Sequence, residues 1–175
     1  YMAGSDRARR SIIQSSKYQP KARVIQHNEA KAIISKFIQG RSGEIGRLVS
    51  RANTIRGRLV DNNFERDLCD HNADYVDRFA QVYPRVQLPA AEITTPDPPQ
   101  PLFLGGTKVT FELHFGMRRI TRTNKVRVGL GTLRYAKGKT LSEQVGEWQS
   151  SLLFGYLAAT GVEDGAEPER GLCVT

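Results

Sequence analysis

The sequence predicts an α+β (mixed α/β) fold: N-terminal helices followed by an antiparallel hairpin, a helix and a further strand packed as one sheet. Three observations predict it. Apolar residues recur at helical spacing through the first half, the spacing drops to two after a proline-rich stretch, and helical spacing returns before a last β-favouring run. Helices segregated from an antiparallel hairpin belong to α+β architecture rather than to a doubly wound sheet.

Residues 1–20 are polar and basic without periodicity and read as a flexible arm. Residues 21–87 form the helical part. After a β-favouring run at 22–26, Asn28 suits a helix cap, and Glu29 places an anion in the first turn where the helix dipole favours it. Ala30, Ile33, Ile34, Phe37 and Ile38 follow at helical spacing, with Gly40 as the stop. A second helix is expected over 42–60, its apolar stripe being Ile45, Leu48, Val49, Ala52, Ile55 and Leu59. Arg47, Arg51 and Arg58 fall near its other edge. A third, over 64–83, buries Phe64, Leu68, Tyr75, Val76, Phe79 and Ala80, and Pro84 ends it.

Residues 88–107 are a Pro-rich linker or loop; Pro89, Pro96, Pro98, Pro99 and Pro101 exclude a regular element there. Residues 108–175 then supply the hairpin, helix and strand, expected to pack with 21–87 as one domain. Over 108–116 Val109, Phe111, Leu113 and Phe115 alternate with Thr110, Glu112 and His114, which predicts a strand. Residues 117–124 read as a basic turn and 125–135 as the return strand, where Gly129 and Gly131 mark a bulge or a close backbone approach. A helix over 141–159 carries Trp148, Leu152, Leu153, Phe154 and Leu157. An acidic loop at 163–169 leads to a strand starting at Leu172, and a chain ending there reads as part of a longer protein.

No apolar run approaches the roughly 20 residues of a membrane span, and no basic-then-apolar leader opens the chain, so a cytoplasmic protein away from membranes is expected. Cys69 and Cys173, far apart, read as reduced thiols rather than a disulfide framework. The sequence has neither a phosphate-cradling glycine loop nor a nucleophile elbow, which excludes the common nucleotide-binding and triad-hydrolase classes. Cys69, His71, Asp74 and Asp77 form the densest set of ligand-type residues, but paired zinc spacing is missing and the expectation is an ordinary helix.

Charge is the sharper signal. The net charge is +8, and nine cations lie within 108–139: Lys108, Arg118, Arg119, Arg122, Lys125, Arg127, Arg134, Lys137 and Lys139. Glu112 is the only acid in that window, so its excess equals that of the whole chain. Clustered cations with Phe115 and Tyr135 nearby point to DNA or RNA phosphates, whose counterions such residues displace. The competing expectation is a solvated sheet edge guarded by charge.

The stretch VTFELHF (Val109 to Phe115), the following VRVGLGTLRYAKGK, the 141–159 helix and the Leu172 strand together resemble the core of PD-(D/E)XK nuclease-like proteins. That resemblance implies an acid on the first strand and an acid-x-Lys on the second, holding Mg²⁺ and activating water. Glu112 stands at the first position. Thr132 and Arg134 stand where the second acid and the lysine belong, and no carboxylate lies between Lys125 and Thr140. The resemblance therefore implies a catalytically degenerate relative that binds nucleic acid or docks in a nucleoprotein assembly, without a cofactor. The alternatives are a Mg²⁺-dependent nuclease using Glu112 as its catalytic acid, and a protein–protein adaptor or oligomer subunit.

Overall fold

A computed structural model describes residues 5, 7, 27–40, 44–135, 141–163 and 165–175. The run at 22–26, Lys137, Lys139 and all of the arm but two residues lie outside the described residues.

Three helices come first: α1 (Asn28–Gly40), α2 (Ile45–Arg56) and α3 (Asn63–Val82). Asn28, expected as a cap, is the first helical residue, and the buried first-turn N–H of Ala30 donates to Asn72 Oδ1 of α3 at 3.0 Å. Asn72 is 2% exposed and its amide also donates to the Leu68 carbonyl, so one buried side chain ties two helices. Leu48, Ala52 and Ile55 of α2 are buried as expected. Leu59 is not: it is 96% exposed, because α2 ends at Arg56 and helical spacing no longer governs its direction. Val49 is also exposed, while Phe64, Leu68 and Phe79 of α3 are only half-buried.

The main sheet is mixed. Its strands are β1 (Glu92–Thr94), β4 (Phe115–Ile120), β5 (Val126–Gly131) and β6 (Ala166–Pro168), neighbours in that order. The first three pair antiparallel and β6 joins β5 in parallel, after the crossover helix α4 (Glu143–Thr160). Between β1 and β4, β2 (Leu102–Leu104) and β3 (Thr107–Val109) form a separate antiparallel hairpin. The α+β class holds, with a mixed sheet.

Three local expectations need correction. The predicted strand at 108–116 is split: β3 ends at Val109, and β4 begins only at Phe115. Phe111 packs its ring 4.6 Å from that of Tyr156 on α4, whereas Phe115 belongs to the cluster under α1–α3. A continuous strand would put both on one face, so the chain must turn between them. The first half of the segment expected to be a basic turn, 117–120, belongs to β4, and the turn is confined to 121–125, where Asn124 adopts the left-handed φ of 60°. Third, the Pro-rich stretch contains β1, a three-residue edge strand, and β2, and the acidic loop contains β6. The strand expected from Leu172 is instead a 3-10 turn at Arg170–Leu172 followed by a single parallel bridge between Val174 and Gly131.

One buried cluster joins α1–α3 to Phe115, Met117 and Leu172; a second joins α4 to Leu130 and Cys173. The sheet therefore lies between two helical layers. Its centre is too crowded for side chains at two glycines. A Cβ on Gly129 would lie 2.2 Å from the Leu172 carbonyl oxygen, and one on Gly131 would lie 2.1 Å from the Phe115 ring. The close approach expected of these residues is what they provide.

Candidate functional site

Where β5 ends and the 110–114 segment passes α1, a cavity of about 370 Å³ opens. The segment brings Glu112 to it, α1 brings Lys31, and the chain after β5 brings Thr132, Arg134 and Tyr135. Glu112, Thr132 and Arg134, which the family resemblance aligns with an acid, a second acid and a lysine, thus line one cavity. They are separated by a whole sheet pairing in sequence, and the β4–β5 register brings them together, with Phe115 opposite Gly131.

Both Glu112 carboxylate oxygens accept from Lys31 Nζ, at 2.7 and 2.6 Å. His114 approaches from the other side, its Nε2 lying 3.4 Å from Glu112 Oε1. The Leu133 N–H donates to His114 Nδ1 at 3.0 Å, so Nδ1 accepts and the ring proton sits on Nε2, facing the carboxylate. Burial pushes the Glu112 carboxyl up, but the Lys31 hydrogen bond and charge, with His114, outweigh it and leave the pKa below its ordinary value. Burial lowers the His114 pKa, Lys31 adds to this, and Glu112 opposes without reversing it.

Behind the cavity lies an aromatic cluster. Tyr135 stacks on Tyr75 of α3 with ring centroids 4.4 Å apart, and His27 meets both edge-on at 4.7 and 5.6 Å. Burial raises the Tyr75 hydroxyl pKa, with Glu112 contributing, so it stays protonated. His27 is held below its ordinary pKa by burial first, then by His71 and Lys31, and is neutral near pH 7. Three buried polar atoms among the described residues have no hydrogen-bond partner: His27 Nδ1, Tyr135 Oη and Gln149 Oε1. All three residues line this cavity.

The donor set does not fit Mg²⁺. That ion needs near-octahedral oxygen ligands with at least one free carboxylate, and here the single carboxylate is occupied by an ammonium while Thr132 and Arg134 add no anion. The helix cluster is likewise committed elsewhere: Asp74 and Asp77 both hold Arg56, at 3.0 and 2.6 Å, His71 Nδ1 bonds the Asp67 carbonyl, and Cys69 is buried.

The expected basic hairpin is dispersed. Arg118 and Arg119 lie on β4, Arg127 on β5, and Lys125 and Arg122 at the turn, but Lys108 lies on β3 of the separate hairpin. Arg134 lies beyond the opposite end of β5, roughly 20 Å from the turn by strand rise. The acidic 163–169 segment folds alongside, so that Glu163 pairs with Arg118 at 3.0 Å, Glu169 with Arg119, and Glu167 with Lys125 and Arg127. Among the described residues Lys108, Arg122 and Arg134 carry no ion pair. Phe115, expected near the phosphates, is 2% exposed and belongs to the core. The sequence pointed to Glu112, Thr132, Arg134 and Tyr135 but not to Lys31 and Gln149, which arrive from distant helices, or His27, which comes from just before α1; His114, two residues from Glu112, was a visible hint.

Comparison of the chain with protein-family models, with curated proteins and with solved structures finds no match.

Proposed function

We propose that this chain is a nucleic-acid-binding domain whose cleft is that of a nuclease-like fold without the second metal-binding acid. The observation that carries the reading is the convergence of Glu112, Thr132 and Arg134 on one cavity whose sole carboxylate is neutralised by Lys31. The order of helix, antiparallel strands, crossover helix and parallel strand also supports it. With Lys31 and Arg134 against one acid, the cleft carries positive charge, which suits a phosphate backbone. Lys108 and Arg122, which carry no ion pair among the described residues, extend the contact, while the cations already held by Glu163, Glu167 and Glu169 contribute less than their number implies.

The test is fluorescence anisotropy with labelled single- and double-stranded DNA and RNA over a salt series, with and without Mg²⁺, while cleavage is followed on a gel. The reading expects salt-sensitive binding, weakened by Arg134→Ala, and no Mg²⁺-dependent products. Products lost in Glu112→Ala would instead establish the nuclease alternative.

A second reading has its own observation. Trp148 and Leu152, four residues apart on α4, are 42% and 56% exposed, which favours a protein partner on that helix. Light scattering of wild type and Trp148→Glu tests it for self-association, which the variant abolishes if that face joins two copies.

A further inference from the structure

We infer that the cavity receives one unstacked nucleotide, its base between the apolar walls and its phosphate on Arg134. This rests on the proposed nucleic-acid reading and specifies what that site takes. The cavity is chemically divided. Phe111, Leu153 and the ring of Tyr135, with the exposed Leu152 at the rim, make an apolar wall, whereas Lys31 and Arg134 bring cations to the same space. A volume of about 370 Å³ suits a single nucleoside phosphate and not a stacked duplex, whose bases are unavailable to such a pocket.

A nucleobase is a flat ring with donors and acceptors on its edge, and His27, Tyr135 and Gln149 each hold a buried polar atom that has no hydrogen-bond partner among the described residues. A simple hydrocarbon ligand would leave all three unmet, and a bare phosphate would leave the aromatic walls unused. His27 is neutral through burial and the neighbouring His71 and Lys31, so it serves as a hydrogen-bonding group rather than a charge. Aromatic walls with adaptable polar edges recognise a base out of its stack.

Two titrations test this on the whole chain. The first compares a labelled single-stranded oligonucleotide with an abasic strand of equal length and equal phosphate number. Wild type is expected to bind the abasic strand about tenfold more weakly, the worth of one base stack. Gln149→Leu and Tyr135→Phe keep the apolar walls but lose an edge contact, and are expected to narrow that difference without changing affinity for the abasic strand. Equal binding of the two strands by wild type overturns the inference and leaves the nucleic-acid reading standing. The second titration uses free nucleoside 5′-monophosphates in a calorimeter, with inorganic phosphate as control. If neither strand binds, the functional reading fails. Saturable nucleotide binding, lost in Gln149→Leu and absent with phosphate, then still supports the pocket, and no heat with any nucleotide overturns it. Melting curves of both variants establish that they fold.

Discussion

Lys31 Nζ lies 2.7 and 2.6 Å from the two carboxylate oxygens of Glu112, so a cation from α1 occupies the acid that a metal-dependent nuclease would need free. This pair also pins the 110–114 segment to α1. The Glu112 side chain is 59% exposed, however, so solvent screens the pair. A double-mutant cycle with Lys31→Met and Glu112→Gln, read by urea denaturation, should give a coupling of about 0.5–1 kcal/mol. The same Lys31→Met variant should let the Glu112 pKa rise toward its ordinary value, measurable by NMR titration.

Tyr135→Phe separates a site from a scaffold. The Tyr135 hydroxyl is buried without a hydrogen-bond partner among the described residues, so removing it should raise stability of the unliganded chain by about 1 kcal/mol. If the cavity binds a nucleotide, the same variant should bind it less well. Stability rising while affinity falls is the combination expected; a loss of stability would mean the hydroxyl is satisfied and the site is ordinary core.

Two glycine substitutions should move in opposite directions. Gly129→Ala would drive a Cβ into the Leu172 backbone, which cannot step aside as a flexible side chain can, and should cost about 1–3 kcal/mol or more. Gly155→Ala on α4 has nothing within 4 Å and lies in a helix, where alanine is favoured, so it should stabilise by about 0.5–1 kcal/mol. Chemical denaturation of both, side by side, checks the sheet packing independently of function.

The pH dependence follows from the lowered pKa values of His27 and His114. Below their ordinary value of 6.5, the unfolded imidazoles take up protons before the folded ones do. The stability they contribute is thus fully present above about pH 6.5 and is lost as pH falls through the lowered folded values. Glu112, also lowered, adds a further loss below its ordinary 4.5. Melting temperature should fall between pH 7 and 5.5, and His114→Gln should reduce that fall; an unchanged melting temperature would contradict the burial of both rings.

The helices were legible because each has a long apolar stripe that repeats several times: Ile34, Phe37 and Ile38 on α1, or Leu48, Ala52 and Ile55 on α2, report the same face again and again. The strand before Phe115 was misplaced because alternation is a short signal. Val109, Phe111, Leu113 and Phe115 alternate, yet Phe111 and Phe115 serve different clusters on opposite sides of the sheet. Nor could the sequence reveal that Glu167 and Glu169 would sit beside Arg127 and Arg119, since parallel pairing across α4 joins residues far apart in the chain. Of the site, Glu112, Thr132 and Arg134 were visible through a family pattern. Lys31 and Gln149 were not, because only the fold brings α1 and α4 to the same cavity.

The acidic partners make the nucleic-acid reading testable by gain. Arg119 and Arg127 stand directly opposite in the β4–β5 register, a like-charge pair that Glu169 and Glu167 offset. Replacing both glutamates by glutamine should free these cations, tighten binding to a polyanion and steepen its salt dependence by about one to two units of slope. It should also lower stability, because the arginines then repel each other unopposed.

The most direct measurement is the affinity for single-stranded nucleic acid across a salt series, wild type against Arg134→Ala, with Mg²⁺ present and cleavage monitored. The account predicts salt-dependent binding by wild type, a weaker affinity with a shallower salt slope in the variant, and intact nucleic acid throughout. Wild-type binding that is absent even at low salt, or that the variant leaves unchanged, would contradict it.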